Sequence, residues 1–326
     1  MTTIVTGAAG FVGFHVARAL LARGEQVLGL DNLNEYYDVR LKHARLQQLE
    51  AQPGFVFRRV ELSDKEAVFA AFGDVPKTTG VVHLAAQAGV RHSMVDPYAY
   101  VTSNVMGHVT VLEAARRLPR LEHLVYASSS SVYGGNTSLP FAERDRVDTP
   151  VSVYAATKRA DELLSHAYGH LYGLKQTGLR FFTVYGPWGR PDMAYYSFAE
   201  RIMGGQPITL YDGGRLRRDF TYVDDIVSGV VACLGRAPGQ EQPTQVFNIG
   251  NNRAELVTEL VRLLEEGLGR KAVIQDMPRP VADVAETCAD LEALGAYVGY
   301  QPTTTLSQGV PRFVEWFLRY HGKPAA

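Results

Sequence analysis

Cysteine is scarce in this chain of 326 residues, since only Cys233 and Cys288 occur. Two cysteines cannot build the disulfide framework of a small secreted domain, and they agree with a reducing compartment. The net charge is only −1, so no long-range attraction to nucleic acid or to an anionic membrane is expected. No apolar run reaches membrane-spanning length, and a predicted strand rather than a signal peptide opens the sequence. We therefore expect a cytoplasmic protein with a small-molecule partner.

The sequence also lacks internal repeats and flexible linkers. Hydrophobic residues make up 46% and charged residues 21%, which is typical of a globular protein. The length allows one large domain or two closely joined ones. Only residues 322–326 are expected to fray.

Short apolar segments alternate with helical patterns over the first 180 residues. The predicted strands are 3–6, 26–30, 55–60, 80–84, 123–127 and 178–183. The segments between them include a crossover over 34–50 with a polar exterior, a long helix over 97–118 and a helix that begins near Ser152. This alternation predicts an α/β fold with a doubly wound parallel sheet, the Rossmann fold. The pattern then breaks into shorter pieces, and a strand over 245–249 could rejoin the sheet.

A glycine-rich turn follows the first predicted strand and opens a helix. It reads Gly7-Ala-Ala-Gly10-Phe11-Val12-Gly13, which is G-x-x-G-x-x-G and not the commoner G-x-G-x-x-G. Here the first glycine allows a tight turn, the second lets the backbone approach a pyrophosphate, and the third allows close packing of helix and strand. The motif predicts a dinucleotide site, although a glycine-rich turn without a ligand has the same pattern.

Asp31 ends the second predicted strand, where the ribose hydroxyls of an adenosine would lie. Its carboxylate would repel a 2′-phosphate, and the following polar residues are Asn32 and Asn34 with no arginine next to them. We therefore predict NAD and not NADP. The alternative is that Asp31 only caps the following segment.

Three further segments could contact the cofactor. Glu61 and Leu62, after the third predicted strand, could meet the adenine. Leu84, Ala85 and Ala86 end the fourth predicted strand, and small residues there suit a backbone that passes close to a flat ligand. We expect residues 1–180 to form the NAD-binding domain, with 219–250 rejoining it, and 181–326 to form mainly the region that binds substrate.

Tyr154 and Lys158 lie four residues apart on a predicted helix, which places them on one face. A lysine ammonium one turn away favours the phenolate form of a tyrosine, as a general base requires. The same spacing also occurs on solvated helix faces. Four serines, residues 128–131, follow the fifth predicted strand. At the carboxyl end of a central strand they can serve as hydroxyl donors facing a cleft, although such runs also form flexible loops.

Two charged patterns remain. His166 and His170 have the i, i+4 spacing of metal ligands, but the sequence offers no evident third ligand and we expect no metal. Arg215, Arg217 and Arg218 form a compact cationic cluster. Its natural anionic partner is a diphosphate, and the alternative is a solvated surface cluster.

Together these motifs give the chain a resemblance to the extended short-chain dehydrogenase/reductase family over nearly its whole length. Within it, the chain is most similar to NAD-dependent nucleotide-sugar epimerases, in particular UDP-glucuronate 4-epimerases. The segments that carry this similarity are 29–38 (GLDNLNEYYD), 83–91 (HLAAQAGVR), 180–193 (RFFTVYGPWGRPDM) and 218–225 (RDFTYVDD). The chain departs from the pattern at Glu61, where aspartate is usual, and at Ala285 and Cys288, which replace proline and tyrosine.

The resemblance implies a reaction in which Tyr154 removes the proton from a sugar C4 hydroxyl, aided by Lys158 and Ser129. It also implies that Asn104 belongs to the cofactor site and that the protein is a homodimer packed through the helices containing Asn104 and Tyr154. The residues that it assigns to a UDP-sugar are Gln87, Arg91, Ser130, Ser131, Thr183, Arg190 and Arg218.

Four alternatives follow from the same resemblance. A 4,6-dehydratase carries an Asp-Glu pair where this chain has Ser130 and Ser131, which are poor bases at neutral pH. A UDP-glucuronate decarboxylase tends to have an acidic residue at Ser131 and asparagine at Thr183, and a neutral UDP-hexose 4-epimerase tends to have that asparagine. A non-catalytic NAD-binding regulator would not need Tyr154 and Lys158 beside the serines.

Overall fold

The computed structural model describes residues 1–280 and 283–322. The expected fraying of the chain end falls mainly on residues 323–326, which lie outside the described residues. Within the described residues, no helix combines the length and the apolar character that crossing a membrane would require.

Seven parallel strands form the main sheet. They are β1 (Thr2–Thr6), β2 (Gln26–Asp31), β3 (Phe55–Arg59), β4 (Gly80–His83), β5 (His123–Ser129), β6 (Gln176–Phe181) and β10 (Thr244–Ile249). Their order across the sheet is β10-β6-β5-β4-β1-β2-β3. The strand order reverses direction next to β1, so the carboxyl ends of β1 and β4 flank a crevice in which open α/β sheets bind ligands. The predicted doubly wound parallel fold is confirmed.

Eleven helices surround the strands in the described part of the chain. They are α1 (Phe11–Ala22), α2 (Val39–Glu50), α3 (Lys65–Gly73), α4 (Pro97–Tyr100), α5 (Gly107–Ala115), α6 (Val153–Tyr172), α7 (Ala194–Met203), α8 (Val223–Leu234), α9 (Val257–Leu268), α10 (Glu292–Val298) and α11 (Leu306–Tyr320). The core strands are nearly continuous apolar runs, because helices cover both faces of the sheet. The buried side chains Phe14, Val16 and Leu20 of α1 contribute to this core.

Two small sheets lie beyond the main one. The first contains β7 (Thr183–Tyr185), β9 (Arg217–Tyr222) and β11 (Ala254–Leu256), in the order β11-β9-β7. The second pairs β8 (Pro207–Tyr211) with β12 (Val273–Met277) in parallel. The first small sheet contains Arg217 and Arg218, at the start of β9.

Two local predictions need correction. The helix predicted over 97–118 is divided, because a π-helical segment, Val101–Met106, separates α4 from α5. The strand predicted over 178–183 ends at Phe181, and residues 183–185 belong to a different sheet. The crossover over 34–50 has the predicted polar exterior, because its exposed residues are Glu35, Asp38, Arg40, His43, Gln47 and Glu50. Two of its cations, Lys42 and Arg45 of α2, are nevertheless buried.

Candidate active site

A cavity opens at the carboxyl ends of the main-sheet strands and is lined by most of the predicted site residues. The predicted residues that line it are Gly7, Gly10, Phe11, Val12, Gly13, Asp31, Asn32, Asn34, Glu61, Leu62, Leu84, Ala85, Ala86, Gln87, Ser129, Ser130, Ser131, Tyr154, Lys158, Thr183 and Arg190. Asn104, Arg91 and Arg218 are not among the described residues that line it. Residues predicted from seven separate segments of the sequence therefore meet in one place.

The glycine turn forms one wall of the cavity. Gly7 has φ +71°, and a Cβ there would lie 2.8 Å from the backbone nitrogen of Ala85. A Cβ on Gly13 would lie 2.0 Å from the carbonyl oxygen of Gly7, because α1 packs directly against the end of β1. Gly10 is the N-cap of α1 and has no capping side chain. The bare helix N-terminus facing the cavity is a surface on which a dinucleotide pyrophosphate fits.

Asp31 is held in place by backbone N–H groups. Its carboxylate accepts hydrogen bonds from the nitrogen of Ala9 at 3.1 Å and of Leu33 at 2.9 Å. Asn32 donates to Glu61 across the same edge at 2.8 Å. The aspartate thus braces the turn after β2 and also lines the cavity, as the hydrogen-bonding partner of a ribose must.

Tyr154 and Lys158 occupy the first two turns of α6. The hydroxyl of Ser152 caps this helix by accepting from the nitrogen of Ala155 at 3.1 Å, as the predicted start of the helix requires. Lys158 is almost fully buried, and its Nζ donates to the carbonyl oxygen of Ala127 at 2.9 Å and to Asp161 at 3.1 Å. Tyr154 is half-buried beside the edge of the Tyr100 ring, with centroids 6.0 Å apart. The two side chains therefore share one face, and both line the cavity.

The four serines divide into different roles. Ser128 also lines the cavity, and its hydroxyl donates to the buried carboxylate of Glu162 at 2.6 Å. Ser129 accepts from the nitrogen of Ser131 at 3.2 Å and donates to its hydroxyl at 3.1 Å. The run is an ordered turn in which three hydroxyls, those of Ser129, Ser130 and Ser131, border the cavity.

Asn104 lies beneath the cavity wall. It accepts from the nitrogen of Gln87 at 2.8 Å and donates to the carbonyl oxygen of the same residue at 3.1 Å. It also donates to Thr157 of α6 at 3.0 Å. Its amide is thus fully engaged by protein groups, so any effect on a cofactor passes through Gln87 and α6.

Arg190 faces Tyr154 from the loop after β7. Its guanidinium forms two hydrogen bonds with Asp192, at 3.0 and 2.5 Å. Burial lowers the pKa of Arg190, but the Asp192 carboxylate outweighs that effect and raises it, and Tyr154 adds to the rise. Tyr36 donates to the same carboxylate at 3.4 Å. The loop therefore presents a fixed, permanently charged cation to the cavity.

The arginines predicted for an anion lie beyond the cavity lining. Arg91 forms an ion pair with Asp283 at 2.7 Å and stacks over the Tyr211 ring, with its guanidinium carbon 4.6 Å from the centroid. Burial lowers the pKa of Arg218, with Asp283 opposing the shift and Arg91 and Arg279 reinforcing it. Arg279 pairs with Asp212 at 3.8 Å. Three arginines and two aspartates thus leave an excess of positive charge at this edge.

Sequence interpretation missed two buried cations of α2. Lys42 donates to the carbonyl and side-chain oxygens of Asn34, at 2.8 and 2.6 Å, and so fixes a residue of the cavity wall. Arg45 is fully buried and links the carbonyl oxygen of Ala9, at 2.9 Å, to those of Trp188 and Gly189, at 2.7 and 2.9 Å. The sequence did indicate this burial, since both cations fall between the leucines of one face of α2.

The histidines of α6 have different surroundings from a metal site. His166 is within 3.4 Å of the Thr244 hydroxyl. In the described residues, no group of three or more His, Cys, Asp and Glu side chains is arranged to hold a metal ion.

The chain is similar in sequence to known proteins. The family model described as the NAD dependent epimerase/dehydratase family matches residues 3–250. UDP-glucuronate 4-epimerase 3 of Arabidopsis thaliana is 48% identical over 344 residues, which cover 100% of this chain and 79% of the relative.

Two solved structures are also similar. The UDP-glucuronic acid 4-epimerase of Bacillus cereus, in complex with UDP-glucuronic acid and NAD, has a TM-score of 0.91 at 32% identity, covering 98% of this chain and 100% of the other. The UDP-glucose 4-epimerase of Thermotoga maritima, with UDP-glucose, has a TM-score of 0.87 at 28% identity, covering 98% and 100%. The chain belongs to the NAD dependent epimerase/dehydratase family.

Proposed function

We propose that this protein is an NAD-dependent isomerase that interconverts UDP-glucuronate and UDP-galacturonate by inverting the sugar at C4. The observation that carries the proposal is the meeting of Tyr154, Lys158 and Ser129 with the glycine turn in one cavity. The Arabidopsis relative and the Bacillus structure, both UDP-glucuronate 4-epimerases, support the choice of substrate.

The residues at the glycine turn fit NAD. Gly10 and the N-terminus of α1 would hold the pyrophosphate, and Asp31 would hold the adenosine ribose while its charge disfavours a 2′-phosphate. Glu61 and Leu62 would border the adenine, and Leu84 to Ala86 the flat part of the cofactor. When bound, NAD supplies the acceptor that takes the C4 hydride and gives it back.

The protein's own groups handle the proton and the position of the sugar. Tyr154, as phenolate, takes the proton of the C4 hydroxyl and later returns it to the inverted C4 oxygen. Lys158 favours the phenolate by its charge, and the Ser129 hydroxyl donates to the C4 oxygen in both directions. The intermediate is a 4-keto sugar that turns over within the cavity between the two proton transfers.

Arg190 is the group proposed to recognise the glucuronate carboxylate. A guanidinium binds a carboxylate through charge-assisted hydrogen bonds. Oxidation at C4 makes a β-keto acid, which loses carbon dioxide when the carboxylate bond aligns with the carbonyl π system. Arg190, with Thr183, Ser130 and Ser131, would hold the carboxylate out of alignment, which favours the epimerase over the decarboxylase.

The UDP part would lie toward the small sheets. Arg218 and Arg91 would bind the diphosphate, with the charge of Arg279 near Arg218, and Gln87 would contact the sugar. In this proposal residues 1–180, with the returning segment 219–250, bind NAD, and 181–326 mainly bind the UDP-sugar. The parallel pairing of β10 with β6 supports that division.

A homodimer is proposed on exposed apolar side chains of the helices beside the cavity. Those of the segment from α4 to the π-helix are Tyr98, Val101 and Met106, and those of α6 are Leu163 and Leu171. An apolar patch on neighbouring helices is the kind of surface that a second copy would cover. We further propose a cytoplasmic location, with which two free cysteines agree.

The deciding experiment is incubation of the purified protein with UDP-glucuronate and no added cofactor. We expect proton NMR to show UDP-galacturonate with inverted C4, because the cofactor is regenerated in each turnover and need not leave. Denaturation should release NAD and no NADP. Carbon dioxide with a UDP-pentose as the main product would assign the decarboxylase, inversion of UDP-glucose alone would assign the neutral-sugar epimerase, and no turnover would leave only a binding protein.

A further inference from the structure

The catalytic face of α6 carries a third charged residue. Asp161 follows Lys158 by three positions and Tyr154 by seven. Seven residues complete almost two helical turns and advance about 10 Å, so all three side chains lie along one stripe of the helix. Asp161 is only 1% exposed, and its Oδ2 accepts from the Lys158 ammonium at 3.1 Å. The lysine thus stands between a tyrosine on one side and a buried carboxylate on the other.

The Asp161 carboxylate serves no other hydrogen bond in the described structure. Its second oxygen, Oδ1, is buried without a partner among the described residues. A purely architectural aspartate would use both oxygens, as Asp219 does toward the nitrogens of Asn251, Asn252 and Ala289. Asp161 therefore has one partner, the lysine proposed to act on Tyr154.

The other titratable groups around this pair carry no compensating free charge. On α5 and β4, burial lowers the pKa of His108 well below its ordinary value and that of His83 to about 3, so both are neutral. On α6 itself, Glu162 forms an ion pair with Arg180 at 2.9 Å. Burial raises the pKa of Asp161 to about 6 against the opposing effect of Lys158, so the carboxylate is charged at neutral pH.

Three side chains from other elements lie near Tyr154. Tyr100 of α4 contacts the ring edge, and burial raises its pKa, so it stays neutral. Arg190 contributes a positive charge from the loop after β7, and Asp192 pairs with it. Tyr36 stays neutral as well, since burial raises its pKa to about 12.

We propose that Asp161 is a positioning residue that keeps the Lys158 ammonium in its buried position and cancels part of its charge. Tyr154, Lys158 and Asp161 then act as a triad that sets the ionisation of Tyr154. The inference rests on the proposed role of Tyr154 as the base. A lysine with no counter-charge would hold the phenolate too firmly for it to accept and return a proton with equal ease, which a reversible epimerase requires. Asp161 restores that balance.

Asp161→Asn keeps the shape and an acceptor oxygen for Lys158 but removes one negative charge about two helical turns from Tyr154. At the effective dielectric constant of a protein site, this should shift the ionisation of Tyr154 by about one pH unit toward acid. The acid limb of the kcat profile should move by the same amount.

The measurement that needs no turnover is a near-ultraviolet titration of the phenolate. The chain has 17 tyrosines, so Tyr154→Phe is made in the wild-type and in the Asp161→Asn background, and each pair of titrations is subtracted. The difference isolates the Tyr154 signal. If Asp161→Asn does not give folded protein, Asp161→Ser removes the same charge from a smaller side chain and is titrated in the same way.

Asp219→Asn is the matched control, since Asp219 is also buried, with a pKa raised by burial to about 6, but lies on β9. Its Tyr154 titration should coincide with that of the wild type. An unmoved titration in Asp161→Asn, or a shift toward alkaline pH, would overturn the proposal. Failure of the base assignment is a separate result, seen as wild-type epimerisation by Tyr154→Phe.

Discussion

On the glycine-turn side of the cavity the backbone itself makes the surface, whereas on the side of the loop after β7 charged side chains make it. Gly7 and Gly13 leave no room for a Cβ, and Asp31 is fixed by backbone N–H groups. On the opposite side, Arg190 is held by Asp192. A surface made of backbone has few tolerated substitutions, while one made of side chains can be altered in steps.

The largest effect is expected from adding one methyl group to the backbone side. Gly13→Ala would place a Cβ 2.0 Å from the Gly7 carbonyl oxygen, so α1 must separate from β1 and the pyrophosphate surface is lost. We expect no NAD after purification, measured by absorbance of the denatured extract, and no turnover. Gly73→Ala is the control, because its Cβ meets nothing within 4 Å. Retention of NAD by Gly13→Ala would refute the packing argument.

The second prediction concerns Tyr154, which lines the cavity shared by the two sides. Tyr154→Phe removes the proton acceptor and leaves both surfaces intact, so kcat should fall by about 10² to 10⁴. NAD content and the affinity for UDP, measured by calorimetry, should remain close to those of the wild type. Epimerisation at the wild-type rate would show that another group is the base.

The third prediction concerns Arg218, one of the arginines proposed to bind the diphosphate. Loss of a charge-assisted hydrogen bond to a diphosphate costs about 1.5 to 3 kcal/mol, so Arg218→Ala should raise KM about ten- to a hundredfold with little change in kcat. Arg217→Ala is the matched control, since that side chain is exposed and donates to the Ala254 carbonyl oxygen. Equal effects of the two substitutions would mean that only general positive charge matters.

The smallest effect is a change of product and not of rate. Arg190→His should weaken the hold on the carboxylate and release a minor fraction of a UDP-4-keto-pentose, detected by mass spectrometry as loss of carbon dioxide. Arg190→Lys keeps the charge but loses the two parallel hydrogen bonds, so we expect less of this product. A folded Arg190→His protein that epimerises without any decarboxylated product would contradict the proposed role.

The main sheet was predictable because each of its strands is a short apolar run bounded by a turn or a helix start. Strand β6 and the start of α6 at Ser152 follow from such local signals. The division of the helix after Pro97 was not predictable, because a π-helical segment depends on tertiary contacts such as those of Asn104 with Gln87 and Thr157. Local sequence contains no sign of these partners.

The cavity lining was predictable where a motif fixes the backbone, and less so where long side chains choose partners. Asp31 and Tyr154 follow directly from the ends of predicted elements. The burial of Arg45 depends on the carbonyl oxygens of Trp188 and Gly189, which lie in a distant part of the chain. The position of Lys42 and Arg45 between the leucines of one helix face indicates burial, but it does not identify these partners.

Arg45 has a consequence for how such enzymes can diversify. It joins the glycine turn to the loop after β7 through main-chain oxygens of Ala9, Trp188 and Gly189. Since every residue type offers that oxygen, the anchor places little demand on the loop's side chains. Two glycines of the loop are exceptions, because a Cβ on Gly189 would lie 1.8 Å from the Tyr195 hydroxyl and one on Gly186, with φ +146°, would lie 2.7 Å from Val223. The loop can therefore vary in its other side chains without loss of the Arg45 anchor, provided that both glycines are kept.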